Sequence, residues 1–132
     1  MREFNLLEEY PKLDNPRIVN KNLRTIDHRI ISTKRDIDFF DGDRNYGYGG
    51  FKYEGRWKKI ADKIIKEYEL SPSAKILHLS CEKGFLLHDF LEIYPELEVK
   101  GLETSNYAIQ NSMEKVRSKI NKVSNYQKLN FK

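Results

Sequence analysis

A short apolar run between two segments of helical periodicity constrains the fold of this chain more than any other feature. The run is Lys75-Ile76-Leu77-His78-Leu79-Ser80, and it is typical of a strand buried in a parallel sheet. Before it, apolar residues recur on one helix face from Trp57 until Ser71-Pro72 ends the pattern. After it, the segment from Gly84 to Leu91 predicts a second helix that Pro95 closes.

The same alternation continues downstream. Val99 to Glu103 predicts a second strand, and Ser105 is placed to cap the helix that follows it. The inner face of this third helix is predicted to consist of four apolar residues, Ile109, Met113, Val116 and Ile120. Alternating helices and strands form right-handed crossovers around a parallel sheet, so the predicted fold class is α/β.

The length of the chain indicates a single core. With 132 residues, 39% of them hydrophobic, it suffices for one compact domain. Residues 1–44 are polar, contain Pro11 and Pro16 and show no apolar period, so we expect an irregular N-terminal arm. Residues 45–132 form the predicted domain.

Charge and cysteine content limit the partners and the location. A net charge of +4 is compatible with weak affinity for anionic surfaces, but basic residues spread around a helix usually form a solvated face, so a nucleic acid partner is not expected. The single cysteine cannot form an internal disulfide, and the N-terminus has no apolar run for a signal peptide or a membrane span. We expect a cytoplasmic protein without membrane contact. The three histidines lack metal-ligand spacing with the cysteine, so no metal site is expected.

Glycine alternates with aromatic residues between Asn45 and Trp57. Glycine allows positive φ, and the rings supply flat contact surfaces. This pattern predicts a loop that closes over a ligand. A glycine-rich surface turn whose aromatic side chains fill a small satellite core explains the composition equally well.

The first strand ends in a turn that suits a ligand. In doubly wound folds ligands bind beyond the carboxyl ends of the strands, where a glycine-containing turn leads into a helix N-terminus. Here that turn runs from Ser80 to Gly84, and Glu103 ends the next strand about twenty residues on, where an acid accepts hydrogen bonds from ribose hydroxyls. A strand-end glutamate followed by Thr-Ser is also common as part of a helix cap.

Several segments resemble the N-terminal part of class I S-adenosylmethionine-dependent methyltransferases. ILHLSCEKGFLL (76–87) resembles the family's first motif and GLETSNYAI (101–109) its second, and VSNYQKLNF (123–131) is similar to the segment after its third strand. FDGDRNYGYGG (40–50), followed by YEGRW (53–57), is similar to the N-terminal signature of a bacterial subgroup associated with sugar or surface-polysaccharide pathways. The resemblance implies a Rossmann-like, doubly wound sheet.

The resemblance also implies a cofactor, S-adenosyl-L-methionine, and a set of residues that bind it. The residues around its methionine part are Ser80, Cys81, Glu82 and Gly84. Glu103 would hold the ribose and Asn125 would lie beside the adenine. Tyr46, Tyr48 and Arg56 would belong to a lid. No catalytic residue is identified, and the acceptor would be a small molecule or a sugar.

Three residues differ from the motif, and each difference predicts weaker or lost cofactor binding. His78 replaces an acid that helps to hold the cofactor's ammonium group, while Ser80 and Glu82 replace glycines. A charged Glu82 and a protonated His78 would repel the cofactor's carboxylate and ammonium. Alternatively, Glu82 turns outward and His78 is neutral and paired to backbone. The position of Cys81 before a helix is compatible with a lowered thiol pKa, although we interpret it as a turn residue.

Members of the family continue beyond the position of Phe131 into a fourth strand and further elements that complete the sheet. The resemblance therefore predicts an incomplete sheet, with the first strand open on one edge. Such edges recruit partners: a second copy, giving a homo-oligomer, a complementing chain, or the N-terminal arm. Two functions follow. The chain is a cofactor-binding half of a methyltransferase, with little activity in isolation, or a non-catalytic remnant that serves as an interaction or scaffold module.

Overall fold

Three parallel strands in the order β1-β2-β3 form the centre of the molecule. The computed structural model describes residues 3–8, 10–11 and 23–126. The strands are β1 (Lys75–Leu79), β2 (Glu98–Glu103) and β3 (Ile120–Lys122). Ile76 is the partner of Val99 across the first pair, and Gly101 is the partner of Ile120 across the second. The predicted α/β class and both predicted strands are confirmed, and the arrangement is compatible with part of a Rossmann-like fold. The expected burial of β1 is wrong, because its side chains alternate between exposed and half-buried.

Two longer helices pack against each other beside the sheet. They are α3 (Lys58–Glu67) and α4 (Phe85–Ile93), both of which the sequence predicts. Their buried residues join Val99 and Ile120 in one core, whose other members are Ala61, Ile65, Cys81, Leu87, Phe90, Leu91, Leu97 and Val116. At Gly101 of β2, a Cβ atom would collide with the side chains of Cys81 and Leu87. Glycine at this position therefore allows the bend between β1 and α4, residues 80–84, to pack against β2. Among the described residues, no helix has the length and apolarity needed to cross a membrane.

The prediction of a single third helix after β2 is wrong. The segment forms two short helices, α5 (Asn106–Gln110) and α6 (Glu114–Arg117). Between them the backbone N–H of Met113 donates to the carbonyl of Lys83, 2.9 Å away, instead of continuing the helix. Ile120, expected on the helix face, begins β3. Val116 of α6 and Ile120 of β3 are both buried in the core. Their burial makes both positions apolar, and their spacing of four residues is therefore the same as on one face of a helix.

The expectation of an irregular N-terminal arm is wrong for residues 26–40, which contain α1 (Ile26–Thr33) and α2 (Ile37–Phe40). No residue of α1 is buried. Its apolar residues Ile26 and Ile30 are exposed, and eight residues are fewer than the window over which a helical period is recognised. Much of the remaining arm, including Pro16, lies outside the described residues.

The first described residues of the arm lie along α3. Lys63 donates through Nζ to the carbonyl of Asn5 at 2.7 Å and forms an ion pair with Glu8 at 2.8 Å. The rings of Phe4 and Tyr68 meet edge to face at 5.5 Å. This part of the arm therefore contacts a helix and not β1, and β1 has no strand on its outer edge in the part of the chain that the structure describes.

Candidate cofactor site at the bend between β1 and α4

The bend between β1 and α4 has an unusual backbone. Ser80 and Glu82 have φ values of 54° and 53°, and Gly84, the N-cap of α4, has φ of 74°. The left-handed region is the ordinary place for glycine but costs other residues roughly 1–2 kcal/mol. At Gly84 a Cβ atom would also lie 2.7 Å from Cγ2 of Val116. The bend thus has glycine-type geometry at three of its five positions.

Glu103 joins the end of β2 to this bend. Its side chain is fully buried. Oε2 accepts a hydrogen bond from the backbone N–H of Glu82 at 2.8 Å, and Oε1 accepts from the N–H groups of Thr104 and Ser105 at 2.8 and 2.9 Å. The two sequence features that suggested a ligand site are in direct contact, at the carboxyl ends of two parallel strands. The Thr-Ser contacts also bear out the helix-cap alternative, because Ser105 caps α5 through a bond from the N–H of Ala108.

The Glu82 carboxylate faces the N-terminal segment. Its Oε1 atom accepts hydrogen bonds from Nη2 of Arg35 at 3.1 Å and from the hydroxyl of Tyr48 at 2.9 Å. Burial and the nearby Glu82 charge raise the pKa of the Tyr48 phenol, so this phenol remains a donor at neutral pH. Glu82 therefore does not turn freely outward, and the guanidinium of Arg35 compensates its charge.

His78 and Cys81 are both perturbed by burial. Burial lowers the pKa of His78, which makes the imidazole neutral at pH 7. This agrees with the neutral alternative, although its buried Nδ1 atom has no hydrogen-bond partner among the described residues, backbone included. Burial, with help from Glu103, raises the pKa of the Cys81 thiol to about 12. The lowered thiol pKa considered from the sequence is wrong, because this free cysteine is packed in the core.

An ion pair that sequence reasoning missed attaches the N-terminal segment to the bend. Nζ of Lys83 donates to both carboxylate oxygens of Asp41, at 2.8 and 2.7 Å, and to the carbonyl of Phe51 at 3.0 Å. The hydroxyl of Tyr107 donates to the same carboxylate at 2.6 Å. Burial alone would raise the pKa of Asp41, but the bonds from Lys83 and Tyr107 outweigh it and lower that pKa. Asp41 and Lys83 both lie within motifs that resemble the methyltransferase family. They are 42 residues apart, and nothing in the sequence shows that they pair.

The three predicted lid residues line one cavity, and only Tyr48 also contacts the bend. Tyr48 reaches the bend through Glu82, while Tyr46 and Arg56 do not contact it in the hydrogen bonds and ion pairs of the described chain. All three line a separate cavity of about 1020 Å³, whose described lining includes none of the bend residues 80–84 and not Glu103. The neighbouring rings form the satellite core considered above, with Tyr48 on Phe51 at 4.2 Å and Phe51 on Phe85 at 4.7 Å.

Asn125 follows β3 and is exposed. The N–H of Val123 donates to the carbonyl of Glu103 at 3.0 Å, which brings this segment to the carboxyl end of β2. The rest of the resembling segment, residues 127–131, lies outside the described residues. The predicted adenine neighbour is therefore at the same end of the sheet as the predicted ribose ligand.

A buried acid, Asp89, was also missed. It is fully buried on α4, accepts a hydrogen bond from the Tyr53 hydroxyl and has an unpartnered Oδ2 atom among the described residues. Burial raises its pKa. It contacts Tyr53 of the aromatic loop, residues 45–57, and no residue of the bend in the described hydrogen bonds. No cluster of three candidate metal ligands occurs among the described residues.

The structure defines a class: an α/β protein with an open parallel sheet and a strained bend next to a buried acid. Comparison with known proteins adds no family to this class, because no family model and no curated protein matches the chain.

Proposed function

We propose that this chain is a methyltransferase-like module in which the β1–α4 bend and Glu103 form a cradle for S-adenosylmethionine. The observation that carries the proposal is the left-handed backbone of Ser80 and Glu82, at positions where the motif they resemble has glycine. Strained backbone of this kind persists where the surroundings over-determine it, and it clusters at ligand sites. The cofactor, when bound, would supply an activated methyl group for a small-molecule or sugar acceptor.

The described residues are chemically suited to hold such a cofactor. Glu103 would accept from ribose hydroxyls through Oε2, which now receives one hydrogen bond, from the N–H of Glu82. The N-terminus of α4 and the backbone around Ser80 would face the cofactor's carboxylate. Asn125 follows β3 at the same end of the sheet, and the resemblance implies that the adenine would lie beside it.

Glu82 opposes this binding. A carboxylate about 4 Å from the cofactor's carboxylate costs on the order of 1 kcal/mol in water and about 4 kcal/mol at the effective dielectric of a protein surface. Arg35 offsets part of this charge. We therefore expect the isolated chain to bind the cofactor weakly and to have little or no methyltransferase activity. We also propose a reducing, cytoplasmic location, because a chain with one cysteine forms no internal disulfide.

A second candidate function is a non-catalytic interaction or scaffold module. Two observations favour it: Glu103 is fully buried, and the Glu82 carboxylate is held by Arg35 and Tyr48 within the bend. In this case the protein would act through contacts with other chains. The outer edge of β1 is the surface that supports such contacts.

Calorimetric titration with S-adenosylmethionine and S-adenosylhomocysteine distinguishes the two candidates. We expect the wild-type chain to bind in the millimolar range and Glu82→Gly to bind at least tenfold more tightly, because glycine removes both the charge and the side chain. Glu82→Gln is the matched control, since it keeps the side-chain volume and removes only the charge. Its affinity shows how much of the gain is electrostatic. A folded Glu82→Gly variant that binds neither compound would contradict the cofactor proposal and support the interaction module.

A further inference from the structure

One cavity of the described chain lies outside the cradle and has no role in the function proposed above. Its volume is about 1020 Å³, at the upper end of the roughly 300–1,000 Å³ typical of small-molecule sites. Its walls come from Arg24 and α1, from α2, from the aromatic loop before α3, and from the start of α4. Tyr10 and Pro11 complete the described lining. Neither Glu103 nor any residue of the bend lines it.

The described lining is strongly basic. Five cationic side chains line the cavity, against one carboxylate: Arg24, Arg29, Arg44, Lys52 and Arg56. That carboxylate, Glu54, is already paired with Arg56. Arg44 is also occupied, because Nη1 donates to the carbonyls of Gly47 at 3.2 Å and Tyr48 at 2.6 Å and so holds the loop that forms one wall.

Three of these cations are available to a ligand. The side chains of Arg24, Arg29 and Lys52 make no hydrogen bond or ion pair within residues 3–8, 10–11 and 23–126. Arginine binds phosphate through two parallel hydrogen bonds, and lysine adds a point charge. A cavity wall with several unpaired cations therefore favours a ligand with more than one negative charge.

Aromatic rings make up much of the remaining wall. Tyr10 and Trp57 lie 5.3 Å apart between ring centroids, and Tyr46 and Phe51 line the same cavity. Base stacking on aromatic side chains contributes about 1–3 kcal/mol per base and tolerates any base, because every base has a π-face. Inorganic phosphate would use only the cations, and an apolar ligand would use only the rings.

We infer that this cavity binds a nucleoside diphosphate, with the diphosphate on Arg24, Arg29 and Lys52 and the base against the rings. The inference does not rest on the cradle. The described lining of this cavity contains no residue of the bend and not Glu103. S-adenosylmethionine is a poor candidate for this cavity, because its sulfonium cation would face a basic wall.

The single tryptophan of the chain, Trp57, lines the cavity and provides the measurement. We would titrate the full chain with uridine diphosphate and adenosine diphosphate and follow fluorescence excited at a wavelength selective for tryptophan. The comparison ligands are uridine, which lacks the phosphates, and inorganic pyrophosphate, which lacks the base. The expected result is saturable quenching by both diphosphates, with at least tenfold higher affinity than for either fragment. Equal affinity for diphosphate and pyrophosphate would overturn the inference.

Single variants test the position of the diphosphate. Arg24→Gln and Arg29→Gln each remove one charge from an exposed side chain without a described partner, so the fold should be retained, which circular dichroism checks. Each should weaken binding of the diphosphates about tenfold. Lys119→Gln, which removes the same charge from an exposed residue that does not line the cavity, should leave the affinity unchanged. The inference fails if the three variants bind equally, or if S-adenosylhomocysteine displaces the diphosphate, since the cavity would then be the cofactor site.

Discussion

At the scale of single residues, the bend combines strain with a compensating contact. Ser80 and Glu82 are both left-handed, which costs roughly 1–2 kcal/mol each relative to glycine. The N–H of Glu82 is fixed by the buried carboxylate of Glu103 at 2.8 Å, a charge-assisted hydrogen bond. Without this bond, the buried carboxylate of Glu103 would have one hydrogen-bond donor fewer. The bond therefore holds the strained backbone of Glu82 in place.

Replacing Ser80 by glycine should stabilise the protein. Ser80 is exposed, so the change mainly removes the left-handed strain, partly offset by the greater entropy of glycine in the unfolded chain. We expect a gain of about 0.5–1 kcal/mol in the free energy of unfolding, measured by urea denaturation. Ser118→Gly is the control, because exposed Ser118 has an ordinary φ of −68° and its replacement should cost a few tenths of a kcal/mol. Equal effects at both positions would show that the strain at Ser80 is negligible.

At the scale of secondary-structure elements, the segment with α1, α2 and the aromatic loop docks onto the bend through few polar contacts. Asp41 and Lys83 make the central one, and the side chain of Lys83 is only 8% exposed. Arg35 adds a second contact, to Glu82. The shape of the bend and the docking of the N-terminal segment are therefore energetically coupled.

The Asp41 carboxylate should make stability depend on pH. Because its pKa is lowered in the folded state, its contribution is present above the unfolded pKa of about 3.9 and is lost as pH falls through the lower folded pKa. We expect Asp41→Asn to lose about 2–4 kcal/mol at pH 7, since it leaves the buried Lys83 ammonium with neutral acceptors and no carboxylate. Denaturant unfolding at pH 7 and in the acid range below pH 3.9 should show the wild-type advantage shrinking with acid.

Asp62→Asn is the matched control for this pair. Asp62 forms an exposed ion pair with Lys66 one helical turn away, and such pairs contribute about 0.3–0.5 kcal/mol. Equal losses for the two variants at pH 7 would show that the Asp41–Lys83 pair is no more than a surface interaction.

The sequence predicts those elements whose burial leaves a periodic pattern. α3, α4 and β2 fall into this group. β1 has no buried residue and is predicted from its apolar run between two helical segments. The parallel topology correctly brings the bend and Glu103 together. α1 could not be predicted, because its eight residues contain too few apolar side chains to show a helical period. The break between α5 and α6 depends on a tertiary hydrogen bond from Met113 to the carbonyl of Lys83. The contacts of Arg35 and Tyr48 with Glu82 join positions 47 and 34 residues apart, which depends on how the segments dock and not on local spacing.

At the scale of the whole molecule, β1 is the least covered element of the sheet. Its outer edge has no partner strand in the described residues. Leu77 and Leu79 are 41% and 42% exposed on one face of β1, while their register partners on β2 are Lys100 and Leu102. An unpaired strand edge beside exposed leucines is a template for pairing with another chain. The described arm residues lie along α3 and do not cover it.

We therefore expect the chain to self-associate through β1. Sedimentation velocity over a range of concentrations should show a species of about twice the 15.7 kDa monomer mass. Replacing both Leu77 and Leu79 by lysine should abolish this species, because charged side chains prevent pairing at an edge. The side chains are already partly exposed, so the variant should fold. Ile26→Lys, at a residue that is 75% exposed on α1, is the control and should leave the dimer intact. A wild-type chain that is monomeric throughout, with fast amide exchange along β1, would contradict self-association, since the edge would then be open to solvent.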